Sequence, residues 1–427
     1  MDEEKLIPSL RFSGNKDVWE QSKFSETFIY LQNNSLSRAD LNYEQGSVKN
    51  IHYGDVLIKF GQILDVEKAD IPFISNNEFD VNSTSLLQNG DVIIADAAED
   101  ETVGKCSEIK GIDGMSVVSG LHTIPCRPNK SFASGYLGYY LNSSAYHDQL
   151  LHLIQGTKIS SISKSALQST DILYPNTEQE QLQIGRFFQS LDNLITLHQN
   201  EYDKLLIMKK AMLGKMFPKN GNTVPEVRFS EFDGAWEYRK LGTISDKVTE
   251  KNVYMEYTET FTNSAEYGII SQREFFDHDI AKHDKINGYY IVRPEDFVYN
   301  PRISSTAPVG PIGRNKLGRC GVISPLYTVF RPKEVDNSFL EQFFKSSHWY
   351  SFMRFNGDTG ARSDRFSIKD TTFFEMPIPF PKVEEQRRIG QYLTGLDVLI
   401  SLQEKKLTKL KNIKSGCLEK MFVKSGR

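Results

Sequence analysis

The sequence predicts an α/β (α+β) chain: two globular domains separated by two long helices that pair antiparallel as a coiled coil, with an internal pseudo-twofold repeat. Three observations predict it. Ile7-Pro8-Ser9-Leu10-Arg11-Phe12-Ser13 returns as Val224-Pro225-Glu226-Val227-Arg228-Phe229-Ser230, and Trp19-Glu20 returns as Trp236-Glu237 at the same spacing. A longer block, Glu180-Gln181, Ile184-Gly185, Leu191-Asp192, Leu194-Ile195 and Leu197, returns as Glu385-Gln386, Ile389-Gly390, Leu396-Asp397, Leu399-Ile400 and Leu402. It continues with Lys204, Leu205 and Lys209 against Lys409, Leu410 and Lys414, and ends on Lys215-Met216-Phe217 against Lys420-Met421-Phe422. Third, both copies of this block keep one hydrophobic period with no interior proline. Self-similarity at a fixed spacing marks repeated structural units.

The elements follow in order. Residues 1–177 form a first globular domain, 178–217 a central helix, 218–382 a second globular domain and 383–427 a C-terminal helical segment. In the central helix Leu191, Ile195, His198, Tyr202, Leu205, Lys209, Met212 and Met216 step by four and three. The second copy runs Leu396, Ile400, Gln403, Leu407, Leu410, Lys414, Cys417 and Met421. That period is near the ~3.5 residues of a coiled coil. Pro175, Pro218 and Pro381 stand just outside the helices, where proline is tolerated. A helix of about forty residues spans roughly 60 Å and cannot bury its stripe alone, so the two copies are expected to pack on each other. Leu191, Ile195, Tyr202, Leu205, Leu396, Ile400, Leu407 and Leu410 are the candidates for helix–helix packing, and the polar entries in the stripe favour further protein on one side of the pair.

Inside the globular domains the copies match faintly but in the same order. Asp91-Val92-Ile93-Ile94 stands opposite Asp296-Phe297-Val298-Tyr299, and Val117-Val118-Ser119 opposite Val322-Ile323-Ser324. The runs from Asp91 to Ala95 and from Asp296 to Tyr299 read as strands. Residues near 134–154 and 337–354 read as short amphipathic helices whose tyrosines and phenylalanines belong to the core.

Composition bounds the function. The chain has 427 residues, 39% hydrophobic and 25% charged, with a net charge of −4. No apolar run reaches the ~20 residues of a membrane helix, and the N-terminus lacks a secretory pattern. A cytoplasmic chain without membrane contact is expected. The four cysteines are scattered, without zinc spacing, and read as reduced structural residues. There is no GxxxxGK[ST] phosphate loop, no dinucleotide glycine pattern and no HExxH. Asn300-Pro301-Arg302 only begins like the Asn-Pro-Pro-aromatic loop of amino-methyltransferases. No catalytic residue and no metal site are assigned.

What the sequence offers is charge in loops. From Phe297 to Lys333 there is no acidic residue, while Arg302, Arg314, Lys316, Arg319, Arg331 and Lys333 are present. Such a surface suits phosphates, or an arginine on guanine. The loop from Asn356 to Arg365 adds Arg362 and Arg365. Its counterpart, Gln155 to Lys164, carries Lys158, Lys164 and hydroxyls suited to backbone contacts. Candidate DNA contacts are therefore Arg302, Arg314, Lys316, Arg319, Arg362, Arg365, Lys158 and Lys164. The first domain differs: Asp96, Glu99, Asp100, Glu101 and Glu108 outnumber Lys105 and Lys110. This loop is expected to face away from DNA; the alternative is a carboxylate accepting from a cytosine amine.

At these residues the chain resembles type I restriction-modification specificity subunits. The carriers are Pro175, Glu180-Gln181, Ile184 and Leu191-Asp192-x-Leu194-Ile195, with Pro381, Glu385-Gln386, Ile389 and Leu396-Asp397-x-Leu399-Ile400 in the second copy. The Arg11-Phe12, Trp19-Glu20, Arg228-Phe229 and Trp236-Glu237 openings also fit. The resemblance implies a non-catalytic subunit whose two domains each read one half of a split, asymmetric target in double-stranded DNA. It implies that the helices set the unread gap and dock two modification subunits, which methylate adenine with S-adenosylmethionine. It further implies restriction subunits that translocate and cleave with ATP and Mg2+. The chain itself would bind no cofactor. A coiled-coil protein adaptor without DNA binding, and an autonomous methyltransferase, are the competing readings.

Overall fold

The structure is a computed structural model and describes residues 6–76, 79, 82, 85–156, 158–219, 221–276, 283–359 and 364–425. Two compact units emerge, one of residues 1–199 with 406–427 and one of residues 200–405.

In the first unit a five-stranded sheet carries the core. Its order is Phe28–Tyr30, Thr123–Pro128, Val92–Ala95, Cys106–Lys110, Ile63–Asp65. In the second unit four strands follow the same plan: Ser245–Lys247, Thr328–Pro332, Phe297–Tyr299, Ile312–Arg314. The centres of both sheets are apolar on both faces, as the buried runs Val92–Ala95 and Phe297–Tyr299 require. Both units also carry a two-stranded antiparallel pair that feeds a long helix. Glu20–Lys23 lies on Asp171–Tyr174, and Glu237–Lys240 on Pro377–Phe380. The short helices predicted near 134–154 and 337–354 are Tyr136–Leu141 with Ser144–His147, and Asn337–Lys345 with Tyr350–Asn356. Most of their aromatics are core: Tyr136, Tyr139, Tyr140, Tyr146, Phe339, Phe343 and Phe344 are buried, while Phe355 in the last of them is exposed.

The long helices run Glu178–Lys215 and Val383–Lys420, 38 residues each, or about 57 Å. In the first unit the start of one meets the end of the other: Phe188 stacks on Phe422 at 5.7 Å, and Asp192 pairs with Lys414 at 2.5 Å. In the second unit Gln403 donates to Glu201 at 2.8 Å, and Lys209 pairs with Asp397. Within each unit one index falls as the other rises, so the helices run antiparallel. Asp192 and Asp397 are repeat partners, as are Lys209 and Lys414; one ion pair is thus made twice.

The repeated openings and the repeated Glu-Gln-x-x-Ile-Gly meet at the base of each helix. Arg11 grips Glu180 with two bonds of 2.7 Å, and Arg228 grips Glu385 at 2.7 and 2.8 Å. Gln181 accepts from the Ala133 amide and donates to the Pro175 carbonyl; Gln386 accepts from Asp336 and donates to Pro381. Gly185 and Gly390 let the helix backbone touch its domain. A Cβ on Gly390 would stand 2.8 Å from the Phe339 amide nitrogen, and one on Gly185 3.1 Å from the Gly135 carbonyl carbon. Each helix then ends in an aromatic plug. Phe422 enters the cluster of Trp19, Tyr136 and Tyr140, and Phe217 contacts Phe339 and Phe343 beside Trp236.

Glu108, read from sequence as part of an acidic surface, lies in the interior at 2% exposure. Its carboxylate accepts from the Gly135 and Gly138 amides at 2.5 and 2.8 Å. Burial nonetheless pushes its carboxyl up to about 7, above the ordinary 4.5, against those amides and Lys110. A folded value above the unfolded one stabilises fully below about pH 4.5, and the contribution is lost as pH rises through about 7. Glu108 is expected to weaken the first unit between those pH values by up to about 3 kcal/mol. Hydrogen exchange at pH 5 and pH 8 checks this: E108Q should shrink the pH-dependent loss of protection around 136–141. An unchanged loss refutes the assignment.

Candidate nucleic-acid interface

The basic stretch Phe297–Lys333 folds so that most of its cations meet carboxylates from outside the stretch. Arg314, largely buried, pairs with Glu295 and, at 3.3 Å, with Glu341. Lys316 reaches Glu341 at 3.4 Å, and Arg319 holds Glu259 with two bonds of 2.8 Å. Arg331 grips the buried Asp296 at 2.7 and 2.9 Å, as Arg127 grips Asp91 at 2.8 Å in the first unit. Lys333 pairs with Asp246 at 2.7 Å. Burial pushes the Glu341 carboxyl up, but Lys345, Lys316 and Arg314 together hold it below its ordinary value. The basic loop surface read from the sequence is thus offset by the chain's own carboxylates at Arg314, Lys316 and Arg319, of which only Arg314 is largely buried. The absence of acidic residues was local in sequence, and the fold supplies them from a distance.

Arg302 is different. It is exposed, it lies antiparallel and opposite the exposed Arg365, and neither has an ion pair among the described residues. The pairing is fixed on both sides, by Phe366 N–H donating to Pro301 at 2.7 Å and Ile303 N–H donating to Asp364 at 3.1 Å. Asp358–Thr359 pairs with Phe366–Ser367, extending this into a narrow ribbon. Arg362 lies outside the described residues. The Asn300 side chain is spent on the turn: its Nδ2 donates to Asn263 O at 2.8 Å and its Oδ1 accepts from the Arg302 backbone N–H at 3.0 Å.

The first unit builds the same ribbon from other residues. Ala97–Ala98 pairs with Ser160–Ser161, and Ile162 N–H donates to Asp96 at 2.9 Å. Lys158 and Lys164 are exposed beside it, with the Lys164 ammonium 5.4 Å from the Tyr30 ring centroid. The acidic loop therefore adjoins the lysine loop. Asp96 bonds His122 Nδ1 at 3.2 Å; burial raises its carboxyl above the ordinary value, although His122 and Lys164 oppose this.

The helix stripe is largely consumed inside the chain. Leu191 and Leu410 pack on the first unit's core, Leu205 and Leu396 on the second's. Leu407 is buried, while Ile195, Tyr202 and Ile400 are half-buried. The outward apolar residues include the repeat pairs Leu194 with Leu399 and Leu197 with Leu402, each 42–52% exposed, besides the more exposed Ile207 and Val398. Their place beside the stripe was visible in the sequence as extra leucines out of period. Among the described residues no cluster is placed to hold a metal ion, and no helix is long and apolar enough to cross a membrane.

The family model of the type I restriction modification DNA specificity domain matches residues 41–206 and 233–412, most of each half. Two proteins of Methanocaldococcus jannaschii are similar to this chain. The MjaX type I restriction enzyme specificity subunit is 24% identical over 95% of this chain and 93% of its own length. The MjaVIII type I restriction enzyme specificity subunit is 24% identical over 63% and 65%. In fold, the chain resembles the type I restriction-modification S subunit of M. genitalium, with TM-score 0.55, 13% identity and 98% and 100% coverage. It likewise resembles a chain from a study of type I R-M complex assembly and conformational transition, with TM-score 0.50, 15% identity and 95% and 97% coverage. With two copies of the specificity domain, each built on the same ion pairs, glycine contact and aromatic plug, the chain belongs to the type I restriction-modification specificity-subunit family.

Proposed function

We propose that each unit reads one half of a bipartite, asymmetric site in double-stranded DNA. The observation carrying this is a repeated frame with an unrepeated surface. Ion pairs, glycine contact and plug recur in both units, whereas the equivalent ribbon pairs a buried Ala97 with an exposed Ser161 in one and the exposed Arg302 with the exposed Arg365 in the other. A duplicated reader suits duplex DNA, and unlike readers make the target asymmetric. The helices set the unread gap, and the outward Leu194, Leu197, Leu399 and Leu402 dock two methyltransferase subunits. Those subunits use S-adenosylmethionine; restriction subunits with ATP and Mg2+ complete the enzyme in the cytoplasm. Lys158 and Lys164 contribute phosphate contacts in the first unit.

The test is to co-express the chain with a cognate adenine methyltransferase subunit and map methylated adenines in host DNA. A split asymmetric motif, with one half alone altered when residues 20–175 are exchanged for another reader, is the expected result. Change in both halves would sink the two-reader assignment. An intact complex without methylation or salt-dependent DNA binding would favour the adaptor reading.

A further inference from the structure

We propose that Arg302 and Arg365 together form the guanine-reading contact of the second unit. This rests on the reading of the chain as a DNA reader and adds the residues and the base. Like charges directly opposite on paired strands are destabilising, yet the fold sets these two arginines opposite each other. Of the six cations between Phe297 and Lys333, Arg314, Lys316, Arg319, Arg331 and Lys333 each have a carboxylate. Arg302 is left without one among the described residues. Asp358 and Asp364 sit on the same ribbon and pair with neither arginine.

The arginines are not there to hold the ribbon. The equivalent pairing in the first unit is made by Ala97 and Ser161, and its flanking bond, Ile162 to Asp96, repeats as Phe366 to Pro301. A charge that the fold does not use, exposed and without a counter-charge among the described residues, is free to meet an external acceptor. A two-stranded ribbon fits the major groove, about 12 Å wide, and the arginine fork matches guanine O6 and N7. Phosphate is the other acceptor a guanidinium could meet, but paired strands fix direction better than phosphate needs. Position-specific chemistry at this place, neutral in one unit and cationic in the other, is what two different half-sites call for.

The experiment compares methylation motifs of the full complex carrying wild-type chain, R302A, R365A and the double R302A/R365S, whose pairing imitates Ala97–Ser161 and so keeps the ribbon folded. Wild type should require guanine at a position of the second unit's half-site. The double variant should lose that requirement by roughly tenfold or more, with the other half-site unchanged. R302K should not restore it, because lysine lacks the fork. Uniformly weaker methylation with an unchanged motif and a shallower salt dependence would assign both arginines to phosphate and overturn the proposal. A wild-type complex without any bipartite motif would instead overturn the DNA-reader assignment itself.

Discussion

F422A is expected to unfold the first unit while the second stays folded. Phe422 stands close to the end of the chain, yet it is 3% exposed in a core assembled from the opposite end of the sequence. Its ring stacks on Phe188 at 5.7 Å and meets Trp19 at 6.4 Å, Tyr136 at 5.9 Å and Tyr140 at 5.7 Å. Truncation removes those contacts and leaves a cavity bounded by large rings that cannot collapse, a loss of about 3–5 kcal/mol. That is comparable to much of a domain's ~5–15 kcal/mol. Hydrogen exchange resolved by segment reads the outcome: protection should fall in 123–128 and 136–141 and persist in 297–299 and 339–344. F217A should give the mirror result. Loss of protection in both units from either variant, or in neither, would contradict the assignment of one plug to each core.

The same plug was present in the sequence as Lys-Met-Phe written twice, but its destination was not. Periodicity gives a helix and a repeat gives equivalence; neither says which core a terminal phenylalanine enters, because the contact spans some four hundred residues. The Arg11-Phe12, Trp19 and Glu180-Gln181 signatures were likewise legible as repeats. Their meaning, one ion pair and one glycine contact joining helix to domain, required the strands between them to bring the ends together. Charge misled most. The stretch around Arg314 to Lys333 reads as basic because its carboxylates, Glu259, Glu295, Asp296, Asp246 and Glu341, lie outside it. Glu108 reads as surface because sequence does not reveal that its oxygens cap the turn at Gly135. Arg302 and Arg365 were both visible; that they face each other was not.

E180A is expected to cost the first unit about 3–5 kcal/mol, the scale for breaking one side of a buried pair. Glu180 is 1% exposed and takes two 2.7 Å bonds from Arg11 and one of 3.4 Å from the Trp19 indole. Removing the carboxylate strands a guanidinium that is itself only 11% exposed and leaves the indole without an acceptor. E385A should cost the second unit less. Arg228 is similarly gripped, but the Trp236 indole nitrogen has no partner among the described residues to lose. Replacing both members, R11M/E180L, should recover much of the loss, since an apolar pair of similar volume strands no charge. Segment-resolved unfolding of the four proteins measures the coupling, and equal losses in E180A and the double variant would mean the pair contributes only packing. The methylation motif separates structure from recognition. Because Glu180 faces Arg11 and Trp19, E180A should lower methylation without changing the bases read. An altered motif from a stably folded E180A would place this carboxylate at the DNA.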